Sequence, residues 1–267
     1  MRIPLWTVIA LSLALTGSPA SGATRPAAVA QEELIDAPSR KEIDEAVAAL
    51  RAAFAQKDPE LRITALNDHR VPAPEIVSFQ AQGLRSKDLK IKQAALEALR
   101  FTDHKDALRL LHKECKRNSS LRTHEQLGPL LFKAIGQHAD PSSITLLRDK
   151  IYSGQSRELV RARLFGLANI RDRKSLETLI ELLRGAKIEV VKRYGRDLRL
   201  CLMQLTGVDR GESPDRWREW WSENKRGFEL PEKAPLMPLE LQRAWDSYWG
   251  IRRAMPRGDR REDRGGD

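Results

Sequence analysis

Cysteine is scarce in this chain, and the scarcity excludes several designs at once. Only Cys115 and Cys201 are present, too few for a fold held together by disulfides. Both fall on apolar faces of predicted helices, where cysteine behaves as a small hydrophobe. The five histidines are scattered, and no CxxC or HxxxH spacing occurs, so no metal site is expected. GxSxG, a glycine-rich phosphate loop and a paired Cys/His constellation are also missing. Glu177 and Glu181 share a helix face, but such a pair on an exposed face is ordinarily just solvated. The sequence therefore predicts no catalytic residue, no cofactor and no metal. Alternation of apolar and polar residues is never sustained, which argues against strands.

Long apolar runs are missing too. The one extended stretch, Pro4 to Leu15 (PLWTVIALSLAL), falls short of the roughly 20 residues that span a bilayer, so no membrane span is expected. It follows Met1-Arg2 and precedes the small, polar segment Thr16 to Ala23. A charged start, a short apolar core and a small-residue exit describe a secretory signal peptide. Residues 1–23 are read as that peptide, with cleavage after Ala23 or, alternatively, Ala20. Residues 24–41 are read as a flexible leader, and 252–267, rich in Arg, Gly and Asp, as a disordered basic tail.

Between the ends, apolar residues recur with helical period. Ile43, Ala46, Val47, Leu50 and Phe54 begin the pattern, and Val191, Tyr194, Leu198, Cys201, Leu202 and Leu205 carry it late in the chain. The helices repeat in pairs. Asp103, Asp140 and Asp172 each follow one apolar helix and precede another. Ala107, Ile144 and Leu176 come four residues after them, then Leu110, Leu147 and Leu179. Upstream, Ile91, Ala95 and Leu99 correspond to Leu127, Leu131 and Ile135 and to Val160, Leu164 and Ala168, the middle copy slipping by one residue. Asp suits such a turn because its carboxylate caps the next helix and opposes the helix dipole.

The unit resembles the short bacterial HEAT repeat of the PBS-lyase-like type. Ile91-Lys92-x-x-Ala95 and Val160-Arg161-x-x-Leu164 match its first helix, and the Asp-led segments match its second. The C-terminal segment, Leu205-Thr206-Gly207 followed by Trp217, Trp220 and Trp221, is similar to the last unit of many exported HEAT-repeat proteins. The resemblance implies an all-α, right-handed α-solenoid of about four to six helical hairpins over residues 42–207. A Trp-rich C-terminal cap is expected over 208–251. It also implies that the second helices line the concave face.

The charge is strongly basic, +10 formally. From Arg85 to Lys133 there are 12 Lys/Arg against 6 Asp/Glu, and from Arg148 to Arg199 there are 14 against 7. The surplus therefore sits on the repeats. Arg109, Lys113, Lys116, Arg148 and Lys150 are expected on second helices, where they would receive an acidic partner. The alternative is an ordinary solvated surface with interleaved acids. Nucleic acid is not expected, because export removes the chain from the genome and no aromatics interleave the basic stretch.

The reading is a non-catalytic, protein-binding scaffold of the periplasm or the secreted fraction. A binder of anionic envelope polymer or lipid is one alternative, and an enzyme accessory subunit another. Trp217, Trp220, Trp221, Trp245 and Trp249 are read as a structural cap whose two faces meet over the stripe from Val191 to Leu205. A sugar-binding aromatic platform is the rival. Export makes a direct prediction: N-terminal sequencing of protein from an envelope fraction should start near Thr24, and an intact Met1 in cytosol would sink it.

Overall fold

The computed structural model describes residues 37–152 and 156–252. The expected signal peptide 1–23, residues 24–36 of the leader and residues 253–267 of the tail lie outside them. Every regular element among the described residues is helical, in the unit that begins at Pro38. In chain order they are α1 (Arg40–Ala55), α2 (Pro59–Asp68), α3 (Pro74–Leu84), α4 (Leu89–Phe101) and α5 (Lys105–Arg117). A short α6 (Ser119–Thr123) precedes α7 (Leu127–Gln137), and the 3-10 turn Pro141–Ser143 leads into α8 (Ile144–Arg148). Then follow α9 (Arg157–Asn169), α10 (Arg173–Arg184), α11 (Ile188–Thr206), α12 (Pro214–Asn224) and α13 (Leu239–Trp249).

Short polar side chains set the helix starts. Ser39 and Glu42 form a reciprocal capping box on α1, which satisfies two backbone donors at once. Asp58, Asp88, Ser156 and Asp172 accept backbone N–H groups at the starts of α2, α4, α9 and α10. Pro59, Pro74 and Pro214 occupy first-turn positions of their helices, where a missing N–H costs nothing.

In chain order the helices alternate between two sets, with α2, α4, α7, α9 and α11 as first helices and α3, α5, α8, α10 and α12 as the second helices that follow them. The first helices α2, α4, α7, α9 and α11 pack on one another in succession, as do α3 on α5, α8 on α10 and α10 on α12. Two layers result, with a continuous apolar core between them. In the first-helix layer α7 and α9 approach most closely. A Cβ on Gly136 would lie 2.5 Å from the Gly166 Cα, so this position needs glycine for backbone to meet backbone.

One expected turn is shifted. Asp140 caps the 3-10 turn and Asp172 caps α10, but at α5 the capping residue is His104, whose Nδ1 accepts the Asp106 N–H. Asp103 stands one residue outside. Backbone bonds confirm the equivalence: the N–H groups of Ala107, Ser143 and Ser175 donate to the carbonyls of His104, Asp140 and Asp172. With His104 as reference, the buried side chains fall into register. Leu108, Ile144 and Leu176 are equivalent, then Leu111, Leu147 and Leu179, then Cys115, Ile151 and Leu183, all buried. Leu110, expected in that set, is only partly buried. The slip expected in the middle copy disappears as well. Ile91, Leu127 and Leu159 correspond, and Ala95 and Leu131 correspond to Arg163, not to Leu164. The same register places Trp217 and Trp220 four and seven residues after the α12 cap Ser213, where those three second helices carry leucine or isoleucine. Leu111→Ala should therefore cost about 2–5 kcal/mol in chemical denaturation, as for a buried leucine, and Leu110→Ala clearly less; equal losses would refute the register.

Candidate functional site

The second-helix layer carries the expected basic residues, four of them as expected. Arg109, Lys113 and Lys116 are exposed on α5, and Arg148 is exposed at the end of α8. Their charges are unequally committed. Arg109 donates to the Asp106 carboxylate at 2.9 Å, and Arg148 lies 4.0 Å from Glu181. Exposed pairs of this kind contribute little energy but do offset charge. Among the described residues Lys113 and Lys116 have no ion-pair partner.

Lys150 departs from expectation. It lies beyond α8, in a turn, with a left-handed φ of 47°. The cause is a residue that the sequence reading did not single out. Arg163, 3% exposed, reaches from α9 to the end of α8. Its Nε donates to the Leu147 carbonyl at 2.8 Å and its Nη2 to the Leu146 carbonyl at 3.1 Å and to the Asp149 carbonyl. Carbonyls that would have continued the helix are thus taken by a side chain, and α8 ends after Arg148. The guanidinium is stacked over the Phe132 ring at 4.7 Å. Burial pushes Arg163 down to about 10, since a desolvated cation is held less readily. The signal for it was a charged residue at a position where α4 and α7 have Ala95 and Leu131.

The first-helix layer is covered differently. After α12 the chain runs through Pro231, Pro235 and Pro238, and Arg171 holds this stretch by donating to the Pro231 and Lys233 carbonyls. Helix α13 then lies back across α4, α7 and α9. Arg100 of α4, 5% exposed, donates to the Trp249 carbonyl at 2.6 Å and to Gln137 of α7 at 3.1 Å. Trp249 reaches to 3.3 Å from the position a Gly136 Cβ would take. On α9, Phe165 meets Trp245 at 5.5 Å and Tyr248 edge-on at 4.6 Å, and Lys133 of α7 stands over Tyr248 at 4.7 Å.

Trp217, Trp220, Trp221, Trp245 and Trp249 therefore fall into two ring clusters. Trp217, Trp220, Trp221 and Phe228 form one ring cluster, with Arg173 of α10 over Trp221 at 5.4 Å. Trp245, Tyr248 and Trp249 form the other with Phe165. Trp221 is half-buried, and Trp217, Trp220, Trp245 and Trp249 are buried. The aromatic face of α13 rests on the flat floor at Gly136 and the Phe165 ring, and Tyr248 also lies within electrostatic reach of Asp197 and Cys201 in the 191–205 stripe.

The thiols of Cys115 and Cys201 are free and buried, and burial raises both above the usual thiol range. Among the described residues no group of three or more His, Cys, Asp or Glu could hold a metal ion, and no helix is long and apolar enough to cross a membrane. Beneath α13 one electrostatic feature is testable. Arg161 lies over Phe165 and Tyr248 and pairs with the buried Asp197 of α11 at 3.4 Å. Burial nonetheless pushes the Asp197 carboxyl up, outweighing Arg161. An acid raised on folding burdens the folded state once the pH exceeds its unfolded value, and not below it. Asp197→Asn should therefore melt higher than wild type at neutral pH, with the difference vanishing below about pH 4. A lower melting temperature at neutral pH would show that the ion pair outweighs desolvation. No protein-family description matches the chain, and comparison with curated proteins finds no similar sequence.

Proposed function

We propose that this protein is a non-catalytic, exported scaffold, a right-handed solenoid of HEAT-type hairpins that binds an acidic protein along its second-helix face. The observation that carries this reading is the asymmetry of the two layers. Across α4, α7 and α9 the first helices already carry α13. The second helices present Arg109, Lys113, Lys116 and Arg148 to solvent, with Lys150 exposed beside them in its turn. Stacked hairpins hold such side chains at fixed spacing along a rigid surface. A rigid array of like charge recognises a complementary one, raising the association rate and excluding partners of the wrong sign.

Charge reversal on α5 tests it, because those side chains are exposed and their loss leaves the core intact. Protein retained from an envelope extract by the wild type should be lost by the Arg109→Glu/Lys113→Glu/Lys116→Glu variant. Retention should persist as salt shortens the screening length from about 30 to 8 Å, since a protein interface also buries apolar surface. The scaffold reading fails if the variant retains the same protein. It also fails if the retained material is an anionic polymer or lipid that salt in this range releases.

A further inference from the structure

A cavity of about 390 Å³ opens where α5, α7 and α9 meet the turn after α8. Its size is that of small-molecule pockets, which combine an apolar wall with a few convergent polar groups. The apolar wall here is Phe132, Leu146 and Leu159. Two arginines of different character also line it. Arg163 is immobilised, stacked on Phe132 and bonded to the carbonyls that end α8. Arg122, half-buried, follows from α6, and among the described residues no hydrogen bond or ion pair engages its side chain. The two charges are close enough for Arg122 to depress Arg163 further, and both act on the Cys115 thiol, which also lines the cavity. An anion placed between them would relieve that repulsion.

The charge balance narrows the anion. Arg122, Lys150 and Arg163 are offset by Glu125 and Asp149 around the same cavity, which leaves one positive charge. A dianion such as a phosphate ester would meet two carboxylates at close range, whereas a single carboxylate is matched. The planar Arg122 fork suits a carboxylate in two-point contact. Arg163, its geometry already fixed, supplies charge at no cost in side-chain ordering.

We propose that this cavity is a binding site for a small monocarboxylate with an apolar body, its carboxylate held by Arg122 beside Arg163 and its body against Phe132, Leu146 and Leu159.

Three naphthalene probes separate charge from bulk: 2-naphthoate, the neutral 2-naphthalenemethanol and the dianionic 2-naphthyl phosphate. Saturation-transfer NMR on the full chain should show saturable binding of 2-naphthoate, with the other two weaker by about tenfold or more. Arg122→Gln, a change on a half-exposed residue, should weaken 2-naphthoate by a similar factor while the melting temperature holds. In the wild type, 2-naphthoate should also slow the reaction of Cys115 with the neutral disulfide 4,4′-dithiodipyridine, with Cys115→Ser identifying the signal. This protection places the ligand even if the Arg122 variant folds poorly. The site is refuted if 2-naphthoate fails to bind, leaves Cys115 unprotected, or binds Arg122→Gln as it binds the wild type. Equal binding of the alcohol would remove the carboxylate from the proposal, and tighter binding of the phosphate would overturn the charge match.

Discussion

The constraint on which the rest of this structure depends is the fixed distance between each second-helix start and its buried side chains. Residues four, seven and eleven positions after His104, Asp140 and Asp172 all enter the core. Each hairpin can bury its apolar stripe only against its neighbours, so the start of every second helix sets the register of the whole stack. The cap is therefore more than a local stabiliser. Moving it by one residue would turn the stripe by about 100° and bring Leu110 inward in place of Leu111.

Arg163 shows what happens when one core position departs from the pattern. A cation placed where leucine or alanine would pack must find partners, and it finds them in the carbonyls at the end of α8. One substitution in a first helix thus shortens the second helix before it, turns Lys150 out of the helical layer and leaves a cavity beside Phe132. A buried charge is usually a burden on stability; here its hydrogen bonds decide where a helix stops.

Much of this was readable from the chain. The leucine stripes follow from periodicity, and the paired helices, with Arg109, Lys113, Lys116 and Arg148 on the second of each pair, follow from the Asp-led repeat. The cap at α5 did not, because aspartate is the stronger capping residue and Asp103 lies beside His104, whose ring nitrogen serves instead. That single displacement also hid Arg163, since it assigned Leu164 to the core position. The seat of α13 was illegible for a different reason. Its aromatic spacing shows that one face is buried, but nothing local says against what. The floor it uses is made by Gly136, Phe165 and Arg100 from three separate helices.

The hydrogen bond from Arg100 to the Trp249 carbonyl joins residues 149 positions apart. In a stack of hairpins nearly every contact is local, and such arrays form quickly and fray from either end. This bond is the opposite kind of contact. It closes a loop over most of the described chain, and the entropy of that closure is lost before the contact contributes. The nascent chain can therefore assemble hairpin after hairpin as it emerges, yet the Arg100 guanidinium waits without its last acceptor until Trp249 has been made. Helix α13 turns an array that could fray piece by piece into one whose early hairpins are latched by a helix made much later.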